Sequence, residues 1–324
     1  MNDLVVVHSP EYANWKFNEN SPTQGRRFVN AYDKLFSYAG HDSSPLSVMP
    51  SPASLEDLGR LHQGDYIDRV LIAGMSNEWE GVRKDLGELA RLMAGGTLTA
   101  IEHLVKGTTK TAVNFAGAKH HAQYDQSSGF CVFNDFAMGA DILTKDYGMK
   151  IAILDIDAHH GDGTENLTRF NPNVLTYSIH ENGIFPGTGL NCEHYNNVYN
   201  YPQNAYSGDE ELALGIEDFT HVAKEFNPDM IFIACGADGH KSDPLSSLQY
   251  SVNGYQEVMS TVRAEFLETP MLFGGAGGYQ PDTITPEIWA LSALSLSSGV
   301  CFDFDGMFLE NDKQLGEAEF GSNL

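Results

Sequence analysis

Five short β-rich runs are apolar through their middles instead of alternating: 3–8 (DLVVVH), 150–156 (KIAILDI), 173–179 (NVLTYSI), 229–235 (DMIFIAC) and 270–274 (PMLFG). A strand with one wet face alternates, whereas a strand covered on both faces by helices stays apolar throughout. Helix-like stretches separate the runs, at 86–106, 133–146, 209–226, 250–267 and 284–298. Strands alternating with helices predict an α/β fold with a central, mostly parallel sheet flanked by helices. Ser207-Gly-Asp-Glu210 reads as a capping box that opens the helix ending before Asn227-Pro228. No repeat, low-complexity tract or linker divides the chain, so a single domain over 1–324 is expected, with an acidic extension from about residue 302. The Pro- and Ser-rich segment 41–54 lacks either periodicity and reads as a surface loop, a connector or a rim over a site.

The charge balance narrows the partners. Forty-four acidic against nineteen basic side chains give a formal charge of -25, which repels nucleic acid and anionic membrane and favours cationic substrates. No stretch of 18 apolar residues exists to span a bilayer. Met1 to His8 lacks the basic and long apolar regions of a secretory signal, so a cytoplasmic location is expected. The four cysteines, Cys131, Cys192, Cys235 and Cys301, form no C-x-x-C pair. A metal site in this chain would therefore be built from histidine and carboxylate.

Chemistry concentrates after the strand runs, where open α/β sheets place their ligands. KIAILDIDAHHGDGT carries Asp155, Asp157, His159, His160 and Asp162, and alternation puts Asp155, Asp157 and His159 on one face. A carboxylate and an imidazole two apart can chelate one Zn²⁺, and Asp238 in ACGADGHKSDP follows a second apolar strand toward the same rim. His120-His121 adds two imidazoles, which the remaining carboxylates Asp155 and Asp162 can orient as His-Asp dyads. The run MLFGGAGGYQ lacks the order of a phosphate-binding loop, and its glycines would let the backbone approach closely and present the Tyr279 hydroxyl to developing negative charge.

HHAQYDQSSGFCVFND, LDIDAHHGDGTE, SIHENGIFPGTG, GADGHKSDP and GGAGGYQ occur in one order over about residues 20–300. Together they resemble the zinc-dependent histone deacetylase and acetylpolyamine amidohydrolase family of the arginase-deacetylase superfamily. The resemblance implies Zn²⁺, or Fe²⁺, on Asp157, His159 and Asp238. It makes His120 and His121 the tandem histidines, partnered by Asp155 and Asp162, and Tyr279 the residue that polarises the substrate carbonyl. It also implies a substrate tunnel walled by Gly129, Phe130 and Phe185, with Gly277 in the glycine run and Leu245 at the substrate-selecting position. A structural K⁺ would use Asp155, Asp157, His159, Ser178 and Ile179. Departures are Ile184, where many relatives have a second aromatic, Ala276 within the glycine run, and Leu245, where polyamine-specific relatives often carry Glu. Leu245 leans the expectation toward deacetylation of ε-N-acyl-lysine or a similar acylated amine. An acetylpolyamine amidohydrolase is the alternative, with Glu78 and Glu80 among the carboxylates available to select an amine. A non-catalytic acyl-lysine binder is a third reading, opposed by the presence of every implied ligand and catalytic group.

Overall fold

A computed structural model describes residues 4–39, 45–192 and 194–302. Its described strands are β1 (Leu4–Val7), β2 (Leu46–Val48), β3 (Thr111–Asn114), β4 (Ile151–Asp155), β5 (Val174–Glu181), β6 (His194–Tyr195), β7 (Val198–Gln203), β8 (Met230–Ala234) and β9 (Met271–Gly274). They join in one sheet of order β2-β1-β3-β9-β8-β4-β5-β7-β6, parallel except for the antiparallel edge pair β6-β7. The described helices are α1 (Arg26–Ala39), α2 (Leu55–Gly59), α3 (Gly64–Leu71), α4 (Lys84–Val105), α5 (Asp135–Asp146), α6 (Asp162–Thr168), α7 (Asp209–Phe226), α8 (Val252–Glu265) and α9 (Ile284–Ser298). The mostly parallel sheet flanked by helices is the α/β architecture expected from the continuous apolar runs.

Those runs are apolar because each strand feeds two cores. Val6, Val113, Leu154, Ile233 and Phe273 enter one cluster with α1, α7, α8 and α9, while Val5, Ala112, Ile153, Phe232 and Leu272 enter a second with α4 and α5. Helix α9 packs against both α1 and α8, which is why Ile288, Trp289, Leu291 and Leu296 are all fully buried around its circumference.

The parallel register aligns the strand ends. Asn114 pairs with Gly274, Gly274 with Ala234, Ala234 with Asp155, and Asp155 with Ser178. One row thus crosses five strands, and the loops that leave it open on the same rim, as expected at the carboxyl edge of a parallel sheet.

Three local expectations need correction. The described part of segment 41–54 contains edge strand β2, and Ala53 is buried against α4 with its N–H donated to Arg91 O at 3.1 Å. A three-residue edge strand is too short to reveal a period; residues 41–44 lie outside the described set, as does the acidic stretch 303–324. The cap of α7 is Gly208, not Ser207, with Glu211 Oε2 accepting the Gly208 N–H at 2.8 Å. Strand β4 ends at Asp155, so Asp157 and His159 lie in the loop beyond it, and strand alternation is not what brings them together. Helix α1 and strands β3 and β7 lie outside the expected elements, although Phe28, Ala31 and Leu35 are buried at helical spacing along α1.

Among the described residues no helix is long and apolar enough to cross a membrane.

Candidate metal centre and active site

The loop after β4 is folded by its own carboxylates. Asp155 Oδ1 accepts the Asp157 N–H at 3.0 Å and Asp157 Oδ1 accepts the His159 N–H at 2.9 Å. Asp238, from the loop after β8, reaches across to accept the Ala158 N–H at 3.1 Å. These turns converge Asp157, His159 and Asp238, whose ligand atoms lie within 4.8 Å of one another and are all buried. His159 Nδ1 is 3.1 Å from Asp157 Oδ1 and 2.9 Å from Asp238 Oδ2.

The donor set fits a divalent ion. Burial and then the charge of Asp157 push the Asp238 carboxyl up to about 7. Burial acts upward on Asp157 too, but His120 and His159 hold it below the ordinary carboxylate range. Side-by-side buried carboxylates of this kind call for a cation, and one imidazole with two carboxylates suits Zn²⁺ or Fe²⁺. Gly277 completes the cradle: its N–H donates to Asp157 Oδ2 at 2.6 Å, and a Cβ there would fall 2.2 Å from Asp238 Oδ2. This residue therefore supports the carboxylates from below and is not among those lining the pocket.

Two histidine-carboxylate dyads stand beside this centre. His120 Nδ1 lies 2.7 Å from Asp155 Oδ2 and His121 Nδ1 lies 2.7 Å from Asp162 Oδ1, with the imidazole centroids 4.0 Å apart. Their electrostatics differ. Burial opposes charge on His120, but Asp155 and Asp157 outweigh it and lift the ring to about 9. Burial and the neighbouring His120 take His121 down to about 4. The two rings are thus driven in opposite directions, His120 toward the charged form and His121 toward the neutral acceptor.

A pocket of about 420 Å³ opens onto these groups. His121, His159 and Tyr279 line it, with Gly129, Phe130 and Phe185 as walls and Glu78, Ile184 and Leu245 completing the lining. Phe185 meets the His121 ring edge-on at 5.0 Å, and Phe130 meets Tyr279 at 5.8 Å. The Tyr279 N–H is fixed by Asp243 Oδ2 at 2.7 Å. Burial, followed by the charges of Asp238 and Asp157, pushes the Tyr279 phenol well above its ordinary value, so it stays protonated and can donate. Ser178 sits beside Asp155 in register, its hydroxyl 2.9 Å from His180 Nδ1, and Ile179 follows it into the core.

Gln123 and Asp243 carried no sequence signal for the site, and Glu78 was only one of several carboxylates the sequence offered. Gln123 Nε2 donates to Asp162 Oδ2 at 2.8 Å and steadies the second dyad. Asp243 holds Tyr279 from 36 positions away. Glu78 Oε2 accepts the Phe130 N–H at 3.0 Å, which anchors its carboxylate on the pocket wall. Each depends on a contact between distant segments.

A histone deacetylase domain model matches residues 21–295. The chain belongs to the histone deacetylase family. It is 34% identical over 314 residues to the acetoin utilization protein AcuC of Bacillus subtilis (strain 168), covering 90% of this chain and 81% of that protein. Over 319 residues it is 30% identical to AcuC of Staphylococcus aureus (strain COL), covering 90% and 81%. Histone deacetylase 8 of Xenopus tropicalis is 30% identical over 304 residues, covering 86% and 80%. The chain is accordingly a deacetylase and a hydrolase; the family is metal-dependent, and the Asp157, His159 and Asp238 set could hold a metal ion.

Proposed function

We propose that this member of the family is a zinc-dependent deacylase that hydrolyses the amide of ε-N-acetyl-lysine or a similar acylated amine, within one domain over residues 1–324. The observation that carries this reading is the convergence, beside one apolar-walled pocket, of the Asp157-His159-Asp238 centre, two histidine-carboxylate dyads and Tyr279. A zinc ion held by those three ligands would supply Lewis acidity to the acyl carbonyl and to an attacking water.

The protein groups divide the remaining work. Neutral His121, oriented by Asp162, takes the proton of the attacking water and later returns it to the leaving amine. Cationic His120, held by Asp155, balances the negative charge that develops on the substrate. The Tyr279 hydroxyl donates to the former carbonyl oxygen. Phe130 and Phe185 hold the methylene chain, and apolar Leu245 suits a neutral stem. A structural K⁺ is assigned to Asp155, Asp157, His159, Ser178 and Ile179, an assignment supported by the register of Asp155 with Ser178.

Glu78 favours a second reading. Its carboxylate is anchored among the pocket-lining residues, where it would attract the free ammonium of an acetylpolyamine. The test is kcat/KM of the zinc-loaded protein on an acetyl-lysine peptide, N-acetylputrescine and N⁸-acetylspermidine. A peptide preference of about tenfold or more, ~1.4 kcal/mol in transition-state binding, supports the lysine deacylase; the reverse selects the polyamine enzyme. Tyr279→Phe should lower kcat by about 10²- to 10³-fold, as expected for loss of an oxyanion donor, and a fully active variant would remove Tyr279 from the mechanism.

A further inference from the structure

The loop that leaves β8 carries Asp238 of the metal centre and then Leu245, which lines the pocket. Past Leu245 this loop is pinned twice. The Ser246 hydroxyl donates to Asp238 O at 2.5 Å, and the Ser247 N–H donates at 2.7 Å to Oε2 of Glu181, a carboxylate 4% exposed at the end of β5. Before Leu245 the pin is Asp243, 6% exposed, whose own N–H donates to His240 O at 2.8 Å. Leu245 therefore stands between two anchors and shifts only if one of them moves.

The Asp243 carboxylate has two attachments. Its Oδ1 accepts the Leu245 N–H at 3.0 Å, and its Oδ2 accepts the Tyr279 N–H at 2.7 Å. One buried side chain thus joins the pocket rim to the end of the glycine run, and the Gln280 side chain repeats the join by donating to Ser242 O. Gly277 is tied to Asp157, but Gly278 follows it at a φ of +133°, so the direction of Tyr279 is left to its own contacts. Burial pushes the Asp243 carboxyl above its ordinary range, and the N–H groups of Tyr279 and then Leu245 lead the opposition to that shift. A buried carboxylate without those donors would destabilise the loop it holds.

We infer that Asp243 is a positioning residue for the hydrolysis, one that sets two parts of the pocket from a single point. Through the Tyr279 backbone it aims the phenol at the acyl carbonyl, and through the Leu245 backbone it fixes the rim that receives the stem of the amine. This deepens the proposed amide hydrolysis and rests on it. The two attachments separate kinetically. A misaimed hydroxyl weakens a contact made in the transition state and lowers kcat, whereas a displaced rim weakens contacts made equally in ground and transition states and raises KM. Asp243→Ser withdraws both acceptors, and Asp243→Asn keeps the shape but turns an amide NH₂ toward one of the two N–H donors.

The test is a double-mutant cycle on an acetyl-lysine peptide, with Asp243→Ser made in the zinc-loaded protein and in its Tyr279→Phe variant. In the first background kcat should fall about tenfold or more, in the second by less than about twofold, and KM should rise about threefold or more in both. Calorimetric titration with a trifluoromethyl ketone analogue of acyl-lysine, whose hydrate offers an oxyanion, reads the same contact without turnover, and its affinity should follow kcat. Circular dichroism and zinc content check that each variant is folded and loaded; Asp243→Asn, nearer in shape, takes the place of Asp243→Ser in the cycle if the latter does not fold. An equal fold loss of kcat in both backgrounds, as a merely structural role would give, overturns the inference and leaves the deacylase reading standing. A KM that moves in neither background overturns the Leu245 half of it. If no acyl amine is cleaved, the deacylase reading fails, and the calorimetry alone then decides: ketone affinity unchanged by the Asp243 substitution overturns the positioning role.

Discussion

Gly129 adopts a φ of +53°, and a methyl group on it would lie 2.3 Å from His121 Cδ2 and 3.0 Å from Phe185 Cε1. Its missing side chain lets the pocket wall pack against His121. Gly129→Ala should lower kcat/KM on an acetyl-lysine peptide by about 10²-fold through displacement of His121, with far-UV circular dichroism unchanged. Activity within threefold of wild type would mean that the wall yields and His121 keeps its place. At this scale the sequence was informative about identity: Asp157, His159, Asp238, His120, His121 and Tyr279 were all candidates from motif and resemblance. It was silent on charge state. The two imidazoles are covalent neighbours of identical composition, yet one is lifted to about 9 and the other lowered to about 4, because Asp155 and Asp157 outweigh burial at His120 whereas burial and the charge of His120 outweigh Asp162 and Asp157 at His121.

Among the elements, the corner between α2 and α3 is tied to the site by His62. Its Nε2 accepts the Asn134 N–H at 2.9 Å, so its Nδ1–H donates to Gln123 O at 2.9 Å, and the ring is neutral. Burial is the main reason its pKa falls from 6.5 to about 4, only partly opposed by the backbone contacts. A histidine depressed on folding contributes its full stability above its unfolded value of 6.5 and loses it as pH falls toward 4, by at most about 3 kcal/mol. Urea unfolding at pH 7.5 and 4.5 should show the wild type losing more stability than His62→Gln over that interval; equal losses would mean that His62 titrates normally. Asn134 caps α5 through the Ala137 N–H at 3.0 Å and also donates toward the carbonyls of His120 and Ala122. Asn134→Ala should cost about 1–2 kcal/mol in the same assay, the range for a lost cap, and a change below about 0.3 kcal/mol would show that the cap is dispensable. Helices α4, α5, α7, α8 and α9 were legible in their helix-like stretches, and strands β1, β4, β5, β8 and β9 in their continuous apolar runs. Helix α6 is too short for that, strand β3 begins and ends on polar Thr111 and Asn114 and shows no continuous apolar run, and the residue that caps α7 differs by one from the expected one because Glu211 reaches Gly208.

For the whole molecule, the formal charge of -25 sets the long-range field. An acetyl-lysine peptide flanked by arginines should show kcat/KM falling roughly tenfold between about 0.01 and 0.15 M salt, as the Debye length shrinks from about 30 to about 8 Å, while a serine-flanked peptide changes little. Equal salt dependence of the two peptides would indicate that the field does not steer substrate. What the sequence determined by itself was local: continuous apolar runs required a sheet covered on both faces, and the residue types after each run restricted a metal site to imidazole and carboxylate. Tertiary structure decided the pairings. Asp238 meets His159 across 79 positions, His120 meets Asp155 across 35, and Arg27 meets Gly278 across 251. Charge state and cavity shape are sums over groups brought together by folding, and those sums exist only once the parallel register has set five strand ends in one row.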